Sequence, residues 1–229
     1  MALALAFTLG ARTALADTVD ADQYDAFWLW AGVRAQPALA RAKRIYLLDA
    51  EVRGENSFIS QRAGVPRIQH ADVWMVVRVE TLHWSPAVYG RVMADLARWR
   101  EAGNRLIGLQ IDFDARTRHL DLYAAFLKDL RQRLPAGCKL SVTGLLDWSA
   151  NGDPQGLSAL ADVVDEVVIQ IYQGRHVIAG YEAYFAKLNH LNIPFRIGLP
   201  QYGEWNEPPE LAANPWFRGY VVFLQNPRN

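Results

Sequence analysis

Polar and apolar side chains alternate along one short stretch, Gln110-Ile111-Asp112-Phe113-Asp114. An extended chain sends successive side chains to opposite faces. Leu109, Ile111 and Phe113 therefore share one face, and Gly108, Gln110, Asp112 and Asp114 share the other. Two carboxyls on one face suit acid catalysis, in which one group protonates a leaving oxygen. Buried carboxylates are costly unless paired or hydrogen-bonded. Such a pair marks either a strand end that opens on a site or a structural hydrogen-bond cluster. Asp114 also suits the N-cap of a following helix.

Other apolar stretches end in the same way. Asp49-Ala50-Glu51, Arg78-Val79-Glu80 and Asp147-Trp148 each close a hydrophobic run. Gln170 and Tyr172 share one face of another, and Gln201, Tyr202, Glu204 and Trp205 follow a further one. Glu51, Glu80, Asp147, Gln170, Tyr202 and Glu204 are thus candidate ligand contacts, together with Gln110. Trp148 and Trp205 would offer flat apolar faces for sugar rings. The structural alternatives are ion pairs among Asp49, Glu51, Arg78 and Glu80, packed loop tryptophans, and a core tyrosine at Tyr172.

These runs need a frame that brings their ends together. Eight apolar segments read as strands: Tyr24–Ala31, Arg44–Glu51, Asp72–Glu80, Arg105–Asp114, Lys139–Asp147, Glu166–Gln173, Phe195–Tyr202 and Tyr220–Gln225. Helical periodicity lies between several of them. Pro86–Ala102 carries Val88, Val92, Leu96 and Trp99; Leu120–Leu134 carries Leu122, Phe126, Leu130 and Leu134; Gly180–Leu191 carries Tyr181, Tyr184, Phe185 and Leu188. Alternating strands and helices predict an α/β fold with a parallel sheet. Eight of them predict a (β/α)8 TIM-type barrel, in which catalytic groups gather where the strands end. Three prolines between Asn206 and Phe217 leave no long helix there, so the barrel is expected to be incomplete towards the C-terminal end. An open doubly wound sheet is the alternative, but no Gly-rich phosphate loop follows the first strand.

The 229 residues carry equal numbers of acidic and basic side chains, for a formal net charge of zero. Nucleic-acid binding, which needs a basic face, is not expected. Met1 to Ala16 is apolar and ends Ala14-Leu15-Ala16, which reads as a signal peptide with its cleavage site. Residues 17–229 then form one domain in a periplasmic or secreted protein, with no membrane insertion of the mature chain. Cys138 is the lone cysteine, so no intramolecular disulfide forms and the thiol reads as core. No Ser elbow, Walker loop or histidine pair with metal-ligand spacing is present, and no cofactor is expected.

Three segments resemble family 18 glycoside hydrolases, the chitinase class. Gln110–Asp114 is similar to their acidic fourth-strand motif, Ile171-Tyr172-Gln173 to the sixth-strand tyrosine segment, and Ile197–Gly203 to the seventh-strand Gly-Leu-Pro-x-Tyr-Gly segment. Over nearly all of residues 17–229 the chain also resembles an uncharacterised bacterial family, domain of unknown function 3142. Tyr24–Gly32, the Asp112/Asp114 strand and Phe195–Trp205 carry that resemblance. The second resemblance implies an exported barrel without an activity; the chitinase-class resemblance implies one acting on a carbohydrate or cell-envelope glycan. It puts Asp114 at the general-acid position, Asp112 beside it as a like-charged assistant, and Tyr172 where it orients the nucleophile or an acetamido group. Glu204 or Asp147 would be a second carboxylate. The chain departs from the chitinase pattern in having Asp114 for a glutamate, and Gly108 and Gln110 at the first acidic positions. A non-catalytic glycan-binding barrel is therefore the rival reading. Metal-dependent hydrolysis through Asp112, Asp114 and a histidine is a third.

Overall fold

The computed structural model describes residues 17–115, 120–148, 152–185, 187–188 and 191–227. Its centre is a closed ring of eight parallel strands. They are β1 (Ala26–Leu29), β2 (Arg44–Gly54), β3 (Asp72–Val79), β4 (Arg105–Asp112), β5 (Lys139–Leu145), β6 (Glu166–Gln170), β7 (Phe195–Pro200) and β8 (Phe217–Phe223). Each pairs with its neighbours in chain order, and β8 pairs with β1 through Val222↔Phe27 and Phe223↔Trp28. The barrel is thus complete as a sheet, and the expected incompleteness lies only in its helices.

The helical layer is thin. After β3 comes α1 (Pro86–Glu101), after β4 α2 (Leu120–Arg133), after β5 α3 (Pro154–Ala161) and after β6 the single turn α4 (Glu182–Phe185). β7 and β8 are joined by turns across the proline-rich segment. Pro86 stands in the first turn of α1, where its missing N–H costs nothing. Val88, Val92, Leu96 and Trp99 bury the predicted stripe of α1. In α2 the predicted Phe126 and Leu130 are buried and Leu134 packs against the core, but Leu122 is 59% exposed, and Tyr123 and Leu127 complete the buried face in its place. The segment expected to be helical from Gly180 to Leu191 is described as helix only over α4. The helix α3, which no stripe announced, starts at Asp153, whose carboxylate accepts the Gly156 N–H at 2.9 Å.

Two cores follow from strand alternation. Outward side chains pack under the helices in one large cluster. Inward ones, among them Trp28, Tyr46, Leu48, Trp74, Val76 and Val168, fill the barrel. Glycine makes room for this filling. A Cβ on Gly108 would lie 2.7 Å from the Trp74 ring and 2.1 Å from the Lys139 carbonyl oxygen, and one on Gly198 2.7 Å from Trp28. The floor of the barrel is ionic. Glu166 accepts from the Tyr46 hydroxyl, from Arg196 at 3.0 Å and from Arg44 at 3.3 Å.

Candidate functional site

The C-terminal mouth of the barrel sits above this packed interior. Gln110 is its base and is wholly buried. Its Oε1 accepts Trp28 Nε1–H at 2.6 Å, and its Nε2 donates to Ser141 Oγ at 3.0 Å. Both ends of the amide are held inside the barrel, so Gln110 supports the site from below rather than facing a ligand.

One step higher on β4 is Asp112, only 6% exposed. Thr143 on β5 donates its hydroxyl to Asp112 Oδ1 at 2.9 Å, and Thr143 Oγ1 in turn accepts the Phe113 N–H at 3.2 Å. Burial pushes the Asp112 pKa up to about 6; the Thr143 bond and Arg78 oppose that rise, while Asp114 and Glu51 add to it. Asp114 lies two residues beyond the strand and is exposed. It is within electrostatic reach of both Asp112 and Tyr172. The carboxyl that holds its proton is therefore Asp112, the residue expected to act only as a neighbour.

Tyr172 follows β6 and is half-buried, its ring stacked on Phe223 of β8 with centroids 5.8 Å apart. Burial holds its hydroxyl well above the usual tyrosine range, with the charges of Asp112 and Asp114 adding to the effect. Arg78, at the end of β3, lies over the Trp30 ring at 5.1 Å. Arg78, Asp112, Asp114, Tyr172 and Glu51 thus share the mouth.

The remaining candidates divide. Glu51 is partly buried and takes Arg53 through both Nε (2.9 Å) and Nη2 (2.6 Å). Glu80 is exposed and stands 4.0 Å from Arg53. The first pair lies along β2 and the second joins β2 to the end of β3. A bulge between Leu48 and Ala50 removes Asp49 from the ladder. Its charge neighbours are Arg62, Arg98 and Arg91, and burial raises its pKa. Gln170 is half-buried on β6. Asp147 follows β5; its Oδ1 is buried without a hydrogen-bond partner, and burial raises its pKa.

Neither tryptophan offers a face. Trp148 is 2% exposed, donates Nε1–H to the Ala115 carbonyl at 2.9 Å and packs edge-on against Tyr123. Trp205 is enclosed by Tyr181, Phe185 and Tyr220. Of the two readings left open for them, sugar-stacking faces or packed loop tryptophans, both follow the second and belong to the outer core. Tyr202 and Glu204 are exposed and line a separate cleft beside the mouth.

Thr143 was missed, although its signal was present. Ser141 and Thr143 alternate with Leu140 and Val142, the same polar rhythm as β4. Among the described residues no cluster of three or more His, Cys, Asp and Glu side chains is placed to hold a metal ion. His119 and His190 lie outside the described residues, as do Met1 to Ala16. No described helix is long and apolar enough to cross a membrane. Cys138 is buried, and burial raises its thiol pKa.

Solved structures share this fold. The chitinase domain of the Clostridium difficile spore coat protein CotE matches with a TM-score of 0.52 at 12% identity, covering 87% of this chain and 70% of that one. The xylanase and alpha-amylase inhibitor protein XAIP-II of Scadoxus multiflorus matches with a TM-score of 0.55 at 12% identity, covering 86% and 91%. The Bacillus cereus spore cortex-lytic enzyme SleL matches with a TM-score of 0.50 at 16% identity over 76% of this chain and 49% of that one, so this chain spans about half the length of SleL. At such identities the likeness establishes the fold alone, a TIM-type (β/α)8 barrel. No curated protein matches the chain. Residues 71–206, more than half of the chain, match the profile described as domain of unknown function (DUF3142), and the chain belongs to that family.

Proposed function

We propose that the barrel hydrolyses a glycosidic bond in a carbohydrate or cell-envelope glycan held at its mouth. One observation carries this reading: a buried carboxyl that keeps its proton to about pH 6, beside an exposed carboxyl, at the end of β4. Asp114 meets the glycosidic oxygen. Asp112 stores the proton beside it, its pKa raised to about 6 by burial. Tyr172 stands where it can orient a water or an acetamido group of the substrate. Asp147, after the neighbouring strand β5, serves as the second carboxylate in this reading, since Glu204 lines the adjoining cleft. The CotE domain is a chitinase domain and SleL a cortex-lytic enzyme, which supports a polymer of amino sugars as substrate. Export to the periplasm or beyond, read from Met1 to Ala16, puts the protein where such glycans are.

A second reading is a barrel that binds glycans without cutting them. The exposure of Asp114 favours it, since proton donors in glycosidases work in closed surroundings.

The pH dependence of oligosaccharide cleavage tests the proposal. Because Asp112 must be protonated, kcat/KM falls as pH rises through about 6. A rate that keeps rising from pH 5 to 8 excludes Asp112 as the proton store. Binding with no product at any pH supports the second reading.

A further inference from the structure

Beside the mouth lies a cleft of about 750 Å³ that the proposed hydrolysis does not use. A short hairpin separates the two. Its first strand carries Tyr172, which borders the mouth; its second carries Val177, paired with Tyr172 and bordering the cleft.

Gln225, just past β8, lines this cleft and is 5% exposed, yet neither its Nε2 nor its Oε1 has a hydrogen-bond partner. Orphaned buried polar groups are uncommon and point to an absent partner. The orphaning is not looseness. The Gln225 N–H donates to Gln201 Oε1 at 2.8 Å, and its carbonyl accepts Gln36 Nε2–H at 2.9 Å. Gln36 and Gln201 exchange amide bonds with each other at 3.1 and 2.8 Å. Two glutamines are thus fully engaged in fixing the backbone of the third, whose side-chain amide stays free.

Tyr202 supplies an independent sign. It is 47% exposed at the cleft, and its backbone φ is +67°. A bulky residue in this left-handed region is strained, and strain of this kind gathers at ligand sites. The turn is enforced by neighbours: Tyr202 N–H donates to the Val19 carbonyl at 3.0 Å, and Val19 N–H to the Gly203 carbonyl at 2.8 Å. Glycine would relieve the strain, so the ring is retained against a backbone cost.

The charged lining, Arg175 with Glu182 and Glu204, offers no excess of cations to hold an anion. A neutral ligand fits it. A free amide offers both donor and acceptor, and an aromatic ring offers a flat apolar face. A sugar ring has the matching parts: hydroxyls or an acetamido group at its edge, and C–H bonds on its face.

We infer that this cleft is a second saccharide subsite, with the Gln225 amide as its polar anchor and Tyr202 as its stacking platform. It takes a neutral sugar unit of the same chain that occupies the mouth, on the far side of the hairpin, and so rests on the glycan reading of the mouth.

The test is the affinity of the full chain for chitin-type di- and hexasaccharides, measured by calorimetry in an Asp114→Asn background to prevent turnover. Gln225→Leu and Tyr202→Gly are each expected to weaken hexasaccharide binding roughly three- to tenfold and to leave disaccharide binding at the mouth unchanged. Both variants should melt at or above the parent temperature, since one removes an unpaired buried amide and the other a strained φ. Equal hexasaccharide affinity in parent and variants overturns the subsite and leaves the mouth reading standing. No binding of either sugar by the parent overturns both.

Discussion

Asp112→Asn lowers kcat/KM for a cleaved oligosaccharide by about 10²- to 10⁴-fold, the range for loss of a general acid–base group. Asparagine keeps the shape and can still accept the Thr143 hydroxyl, which now reaches Asp112 Oδ1 at 2.9 Å. What it removes is the stored proton, and with it the fall in rate above about pH 6. Stability moves the other way. The folded pKa of Asp112 is raised from 3.8 to about 6. Below about pH 4 both folded and unfolded chains carry the proton, and the group contributes nothing. Between about 4 and 6 the unfolded chain ionises while the folded chain does not, so stability is lost as pH rises. Above that window the loss is complete, at roughly 3 kcal/mol. Asp112→Asn escapes this, so urea unfolding shows the variant gaining on the wild type from pH 4 to 6. A flat difference would mean that Asp112 titrates normally in the folded protein.

Glu166→Ala is the expected structural lesion of comparable size, about 3–5 kcal/mol of folding stability. The carboxylate is the shared acceptor of Arg44, Arg196 and the Tyr46 hydroxyl at the barrel floor. Removing it leaves two guanidinium groups, both largely buried, without that partner. Tyr46 also stacks on Trp74, with ring centroids 5.8 Å apart, so the disturbance reaches the inner core. Urea denaturation at neutral pH checks it: the midpoint falls while the slope stays constant. A change below about 1 kcal/mol, the range of exposed pairs, would show that the floor is hydrated and the cluster incidental.

The strands were legible because buried parallel strands are short apolar runs, and the rhythm of β4 announced Asp112 directly. Strand ends were less so. β2 runs on to Gly54 and turns back through Ser57–Ser60, so Glu51 and Arg53 meet on a hairpin that apolar content does not reveal. Only the start of the α2 stripe differed: Leu122 faces out, while Tyr123 packs under Phe113 and Trp148. α3 was missed because its hold on α2 depends on a close approach at Gly156, where a Cβ would lie 2.7 Å from the Leu120 Cβ, not on a long stripe. Trp148 and Trp205 stayed open between two readings for a tertiary reason. Position after a strand does not say whether the chain next rises over the mouth or falls over the helices. Gln225 was unreadable, since an unpaired amide is defined by what its neighbours Gln36 and Gln201 do with theirs.

The central claim is that the β4 carboxyls cut a glycosidic bond. Its most direct test is incubation of the wild type and Asp114→Asn with chitin-type and bacterial cell-wall oligosaccharides, with products read by mass spectrometry. Shortened oligosaccharides are expected with the wild type and intact substrate with the variant. Cleavage by both at equal rates, or a stable complex without cleavage by the wild type, would contradict it.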